Sequence, residues 1–149
     1  MTDILIYWRD YRQNWIRRFA GERAYHWHSN ARLLGGLQPG DRLWFVTSGK
    51  NLRHEAEQEG FLVAVWHVQE VMDNPGDDPA YPKEDYRYRI VAAELEALED
   101  KLIRVDHVVR PEGRDKAISI GRFLQGPRKL KDETIRLLHA VVGPIMARV

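Results

Sequence analysis

Cysteine is absent from the sequence. Without a thiol there can be no disulfide staple, no thiolate zinc site and no cysteine nucleophile. Long apolar runs are missing too: nothing approaches the roughly 18 consecutive apolar residues of a membrane-spanning helix. The opening Met1-Thr2-Asp3-Ile4 has no basic segment leading into an apolar run, so no secretory signal is expected there. Phosphate-loop (G-x-x-x-x-G-K-[ST]), zinc-protease (H-E-x-x-H) and nucleophile-elbow (G-x-S-x-G) patterns do not occur. Internal repeats and low-complexity segments are likewise lacking. These absences lead us to expect a cytoplasmic protein with no membrane partner and no cofactor.

What is present is 149 residues, 44% hydrophobic and 30% charged. That length suits one domain over 1–149 and can bury about 70% of the unfolded surface without a staple. The net charge of +1 hides a blocky distribution. Residues 1–54 carry nine Lys/Arg against four Asp/Glu, residues 55–100 three against thirteen, and residues 101–149 eleven against five. Basic ends that met in space, opposite the acidic middle, would make a face suited to a polyanion. The chain also holds five tryptophans, whose N–H groups need partners when buried.

Alternation and turn chemistry predict strands near residues 4–11, 42–48, 61–72, 86–93 and 102–109. Gln38-Pro39-Gly40-Asp41 has Pro and Gly at the central positions of a type II turn. The run from Phe61 is apolar on both sides before alternating, as for a strand buried centrally that emerges at one end. Residues 73–82, with three Pro, one Gly and three Asp, form the clearest loop. Short helices are expected after Asn14, after Asn51 and over 132–142, the last interrupted or ended by Gly143-Pro144; residues 25–34 and 95–100 are ambiguous. The expected class is α+β: a mostly closed, bent β-barrel of about five to six strands flanked by short helices.

Metal binding is weakly supported. His26 and His28 could offer two imidazoles on one side of an extended segment, which is too few for a site. Asp73, Asp77 and Asp78 do not match the spacing of a calcium loop. The constellation that stands out is aromatic: Trp8 ends the first strand, Tyr25 and Trp27 precede Ser29 and Asn30, and Trp44 leads toward Thr47, Ser48 and Lys50. Aromatic faces beside small polar side chains and flanking cations are what a flipped nucleobase needs. Trp44 and Trp66, inside strands, are expected in the core, and Trp27 is the best candidate to face a ligand.

Tyr7-Trp8, then Trp27-His28-Ser29-Asn30, then Gly40-Asp41 leading into Arg42-Leu43-Trp44-Phe45-Val46, then Gly60 before the next strand, resemble the EVE domain of the PUA-like superfamily, which is related to YTH and ASCH domains. The basic stretch from Ile120 to Arg128 is similar to the late segment of EVE and YTH domains. The likeness spans roughly residues 4–140. It implies a PUA-like bent barrel and a nucleic-acid partner, DNA or RNA, with a modified base read in an aromatic pocket. YTH cages use a Trp followed closely by a small polar residue, which Trp27 and Ser29 match with His28 intervening. No Trp follows Trp66, so the other wall would fall to Trp8, Trp44 or Tyr81.

The expected base-binding set is therefore Trp8, Tyr25, Trp27, Ser29, Asn30, Thr47 and Ser48, and the expected phosphate-binding set is Lys50, Arg122, Arg128 and Lys129. The alternative is an ASCH-like hydrolase acting on a modified nucleoside or RNA, for which Lys50, Thr47 and Glu70 are the candidates. A buried Lys–carboxylate pair lining the pocket would mark it, because a lysine nucleophile must be desolvated. A third reading is a protein-interaction domain that uses the acidic 55–100 surface.

Overall fold

The longest strand, Gly60–Asp73 (β4), organises the molecule. It is seen in a computed structural model that describes residues 1–9, 11, 25–52, 59–98, 103–109, 124 and 126–146. Its first half is buried on both faces, as the continuous apolar run predicts. One edge of β4 pairs antiparallel with Arg42–Ser48 (β3) and the other with Tyr88–Ala97 (β5). Asp3–Tyr7 (β1) lies parallel to β3, and Tyr25–Ser29 (β2) lies antiparallel to β5. Two residues, Ile103–Arg104 (β6), continue the β5 side at the start of β4, and Arg128–Lys129 (β7) pairs with Ile4 and Leu5 of β1. The result is a seven-stranded mixed sheet in the order β2-β5-β4-β3-β1-β7, with β6 beside β4. Its helices are Arg32–Gly35 (α1), Asp106–Val109 (α2) and Asp132–Met146 (α3). The α+β class holds; among the described residues the strand order has two ends, β2 and β7, and the sheet does not close.

Two core layers follow from the alternation. Ile4, Ile6, Trp8, Leu43, Phe45, Ala64, Trp66, Val68, Ile90 and Ala92 fill one side, where Leu34 and Leu37 join them. Leu5, Trp44, Val46, Leu62 and Val65 fill the other, against Leu138 and Val142 of α3. A β-bulge links the layers: Phe45 pairs with Ala64 and Val46 with Leu62, so Val63 is the extra residue. Val63 and Ala64 consequently join the same core layer, and the local twist rises where the sheet must curl.

The turn before β3 is the type II turn that Pro39-Gly40 predicts. Gly40 has φ 93°, and the Asp41 N–H donates to the Gln38 carbonyl at 3.1 Å. Buried Asp41 accepts from the Thr2 and Gln38 N–H groups at 2.7 and 2.8 Å, which ties the start of β1 to the turn. Gly40 and Val68 complete the staple: the Gly40 N–H donates to the Val68 carbonyl, and the Val68 N–H to the Asp41 carbonyl.

Four expectations are corrected. The strand over 102–109 is two residues long, because Asp106 places an acceptor at the start of a helical turn and Val109 bonds back to Val105 at 3.0 Å. The strand expected at 4–11 stops at Tyr7, and the one expected at 86–93 runs to Ala97. Gly143-Pro144 does not end α3, which continues to Met146. Asn51 sits inside a 3-10 turn, Gly49–Leu52, and donates its amide N–H groups to Thr47 Oγ1 (2.8 Å) and the Arg9 carbonyl (3.2 Å); the helix expected after it, over 53–58, lies outside the described residues. The helix expected after Asn14 lies outside the described residues.

Candidate nucleic-acid interface

A cleft of about 410 Å³ opens at the seam between the two ends of the strand order. Trp27, His28, Ser29 and Asn30 come from β2 and its exit; Ile6 and Tyr7 come from the end of β1. Leu124, Gly126 and Pro127, on the approach to β7, complete that side, and Asp85 and Tyr86 come from the loop before β5. The volume falls within the roughly 300–1,000 Å³ of small-ligand sites.

The walls are held by local chemistry. The Ala31 N–H donates to Ser29 Oγ at 3.0 Å, which turns the chain from β2 into α1 and leaves Asn30 exposed at the corner. Gly35 lets α1 approach β5: a Cβ there would stand 2.5 Å from the Tyr88 ring. Buried Asn74 governs the loop. Its side-chain amide donates to the carbonyls of Tyr81 (2.9 Å) and Tyr86 (2.8 Å), and its oxygen accepts from the Gly76 N–H.

Trp27 is half-buried and packs on the inner core. Behind it stand Trp8, Phe45 and Trp66, with ring centroids 5.5, 4.9 and 6.5 Å away. Beside it, His28 is 8% exposed, stacks on Tyr81 at 4.3 Å and accepts from Arg89 Nε at 3.0 Å. Burial, then the charge of Arg89, lowers its pKa from 6.5 to about 4. Arg89 is in turn ion-paired with Asp77, whose carboxyl is held below its ordinary range by that hydrogen bond.

The expected site residues divide. Trp27, Ser29 and Asn30 line the cleft, and Arg128 and Lys129 follow directly on its Pro127 wall, both exposed. The others lie elsewhere. Trp8 is 5% exposed and enclosed by Tyr11, Trp27, Phe45 and Trp66, so it backs Trp27 and offers no face to a ligand. Tyr25 stacks on Trp66 at 5.2 Å. Thr47 is fully buried, its hydroxyl donating to the Trp8 carbonyl and accepting from Asn51, and Ser48 is buried next to it. These positions hold structure because β3 is a central strand, whose residues face core on both sides. Trp44 belongs to the opposite layer, its Nε1–H donating to Asp3 at 2.8 Å, and so cannot wall the cleft; Tyr81 supports His28. Arg122 and the Lys50 side chain lie outside what is described.

Electrostatics also depart from expectation. Asp85, from the acidic middle of the chain, sits on the cleft rather than opposite it. Glu70 is exposed on β4, and among the described residues the cleft lining holds no lysine. Among those residues, too, no group of three or more His, Asp or Glu is placed to hold a metal ion, and no helix is long and apolar enough to cross a membrane. Sequence reasoning missed His28, Tyr86 and Asp85 as cleft residues; the only local signal was the alternation that sets His28 opposite Trp27.

No protein-family model matches the sequence, and comparison with curated proteins finds no match. Solved structures do share the fold. A Pseudomonas putida protein is 10% identical with a TM-score of 0.59, covering 93% of this chain and 98% of its own. A hypothetical protein from Leishmania major is 10% identical with a TM-score of 0.56, covering 97% and 96%. The DUF55 domain of human thymocyte nuclear protein 1 is 10% identical with a TM-score of 0.54, covering 93% and 97%. Identity this low shows a shared fold alone.

Proposed function

We propose that the protein is a single EVE-like, PUA-like module that binds nucleic acid and takes a base, modified or not, into the cleft against Trp27. The observation that carries this reading is a juxtaposition. A half-exposed tryptophan and an exposed amide, Trp27 and Asn30, share one cleft with the Gly126-Pro127 segment that leads into Arg128 and Lys129. Stacking, an edge-reading polar group and adjacent cations are the elements of base uptake from a strand. Tyr86, on the loop side, supplies the second aromatic surface in place of the Trp8, Trp44 or Tyr81 considered from sequence.

The test is a binding screen of modified and unmodified DNA and RNA oligonucleotides at two salt concentrations. Salt-sensitive binding that weakens in Trp27→Ala is the expected result. Failure of every oligonucleotide to bind at low salt refutes the reading.

A further inference from the structure

Arg42 precedes Trp44 by two residues on β3, so both side chains lie on the α3 side of the sheet. Asp3, its register partner on β1, is buried and accepts twice at one oxygen, Oδ1: from Arg42 Nε–H at 2.7 Å and from Trp44 Nε1–H at 2.8 Å. The guanidinium also lies over the Trp44 ring, 5.5 Å from its centroid. One edge and one face of the guanidinium are thereby fixed. Its two terminal nitrogens are left over, with no acceptor among the described residues. They are not sealed in: among those residues the buried side-chain polar atoms without a partner are Tyr11 Oη, His28 Nδ1 and His67 Nδ1. An arginine whose side chain is only 14% exposed thus turns its terminal fork to solvent. A planar fork pinned in this way is pre-organised for two parallel hydrogen bonds to an oxyanion.

Other groups stand around it. His67 is opposite Arg42 in the β3–β4 pairing, so the two side chains are neighbours on one face. His139 of α3 packs edge-on against the same Trp44 ring at 5.3 Å. Burial, then the charge of Arg42, holds its pKa below 6.5, with Asp3 pulling the other way. Leu130 donates its N–H to the Asp3 carbonyl at 2.9 Å, which sets exposed Lys131 beside the start of β1.

We propose that Arg42 anchors a second ligand site, apart from the cleft, whose terminal fork takes a phosphate group with Lys131 as the neighbouring cation. Asp3 offsets the charge of Arg42, so the fork supplies direction and Lys131 supplies net positive charge. A carboxylate has two oxygens, and the fork would use both. A phosphate keeps a further oxygen for the lysine, which favours it over an acidic peptide. The phosphate could belong to free phosphate, to a small phosphorylated molecule or to a nucleic-acid strand, and the probes below separate these sources.

The experiment follows the His139 ring by NMR through a pH titration of the whole protein. It is run in chloride, in inorganic phosphate at equal ionic strength, and with a short single-stranded oligonucleotide. Bound phosphate offsets the guanidinium charge, so the His139 pKa should rise. Arg42→Lys keeps a cation for Asp3 but loses the fork, and should weaken phosphate binding roughly tenfold. Lys131→Ala should weaken it severalfold. Trp27→Ala, a cleft variant, should bind inorganic phosphate like the wild type.

A response to inorganic phosphate supports the site and points to free phosphate or a small phosphorylated molecule. A response to the oligonucleotide alone supports it and points to a strand phosphate. An unmoved His139 pKa with both probes, or an equal response in Arg42→Lys and wild type, overturns the proposal. So does a glutamate-rich peptide that moves His139 where phosphate does not. Oligonucleotide binding that still depends on Trp27 spares the nucleic-acid reading in each of those cases, and failure of that reading leaves the inorganic-phosphate result standing. Should Arg42→Lys fail to fold, the wild-type titration and Lys131→Ala decide.

Discussion

Trp8 stands edge-on to Trp27, with ring centroids 5.5 Å apart and planes at 83°. The two tryptophans divide the labour that the sequence left undivided. Trp8 is core, and its enclosure by Tyr11, Phe45 and Trp66 makes it a rigid backing for its half-exposed neighbour. A stacking surface is useful only if it does not swing away when a base arrives, and edge-to-face contact of this kind is favourable beyond area burial.

Trp27→Ala should therefore act on binding more than on folding. Loss of base stacking is worth about 1–3 kcal/mol, or roughly ten- to a hundredfold in affinity. Because Trp27 packs on the inner core, its removal should also lower stability, though less than the ~3–5 kcal/mol expected for fully buried Trp66→Ala. Oligonucleotide titration and denaturant unfolding of both variants measure the two effects. Equal destabilisation with unchanged affinity would assign Trp27 to the core alone.

Asn74 is the residue on which the far wall depends. It is 1% exposed and holds the Tyr81 and Tyr86 carbonyls at 2.9 and 2.8 Å. Asn74→Ala strands both carbonyls and should cost on the order of 2–6 kcal/mol, at about 1–3 kcal/mol for each unmet group. Hydrogen exchange should show loss of protection from 74 to 88 before the β3–β4 pairing is affected. Uniform loss of protection across the sheet would mean the loop is not a separately stabilised unit.

Those elements whose causes are local were legible in the sequence. Pro39-Gly40 carries its own turn geometry, and the strand that follows has the bounds Arg42–Ser48 that its β-branched and aromatic residues suggest. β4 announced its double burial by apolar residues on both sides. Residues 102–109 misled because Val105, Val108 and Val109 suit a helical turn as well as a strand, and only Gly60, bonded to Val105 and Asp106, decides between them. The site was half legible for the same reason. Trp27, Ser29 and Asn30 share a segment, but the burial of Thr47 and the Arg89 contact of His28 arise from strand order and register, which no local pattern encodes.

Stability should fall with acid in a window set by His28. The unfolded ring takes up a proton as pH drops through 6.5, whereas the folded ring resists until about 4. The unfolded state thus binds more protons between these values. The contribution is fully present above pH 6.5 and is lost as pH falls to about 4, amounting to on the order of 3 kcal/mol at 1.36 kcal/mol per pH unit. Urea midpoints of the wild type and His28→Phe, compared across that range, isolate it. The wild type should lose stability more steeply than the variant as pH falls from 6.5, and parallel curves would show that His28 titrates normally.

Arg128 and Lys129 form β7, pairing with Leu5 and Ile4 while both side chains remain exposed. Backbone pairing fixes where these side chains start, just beyond Pro127 on the cleft wall. Each cation that neutralises a phosphate releases counterions, so log affinity falls with log salt by about 0.9 per contact on duplex and about 0.7 on a single strand. Replacing both by Ala should weaken every oligonucleotide alike at low salt and flatten the slope by roughly 1.4–1.8. Exposed side chains leave little stability to lose, so the melting temperature should hardly move. Trp27→Ala, in contrast, should lower affinity without changing the slope, because stacking moves no ions. A double variant Arg128→Ala/Lys129→Ala with the wild-type slope would place the phosphate path elsewhere on the molecule.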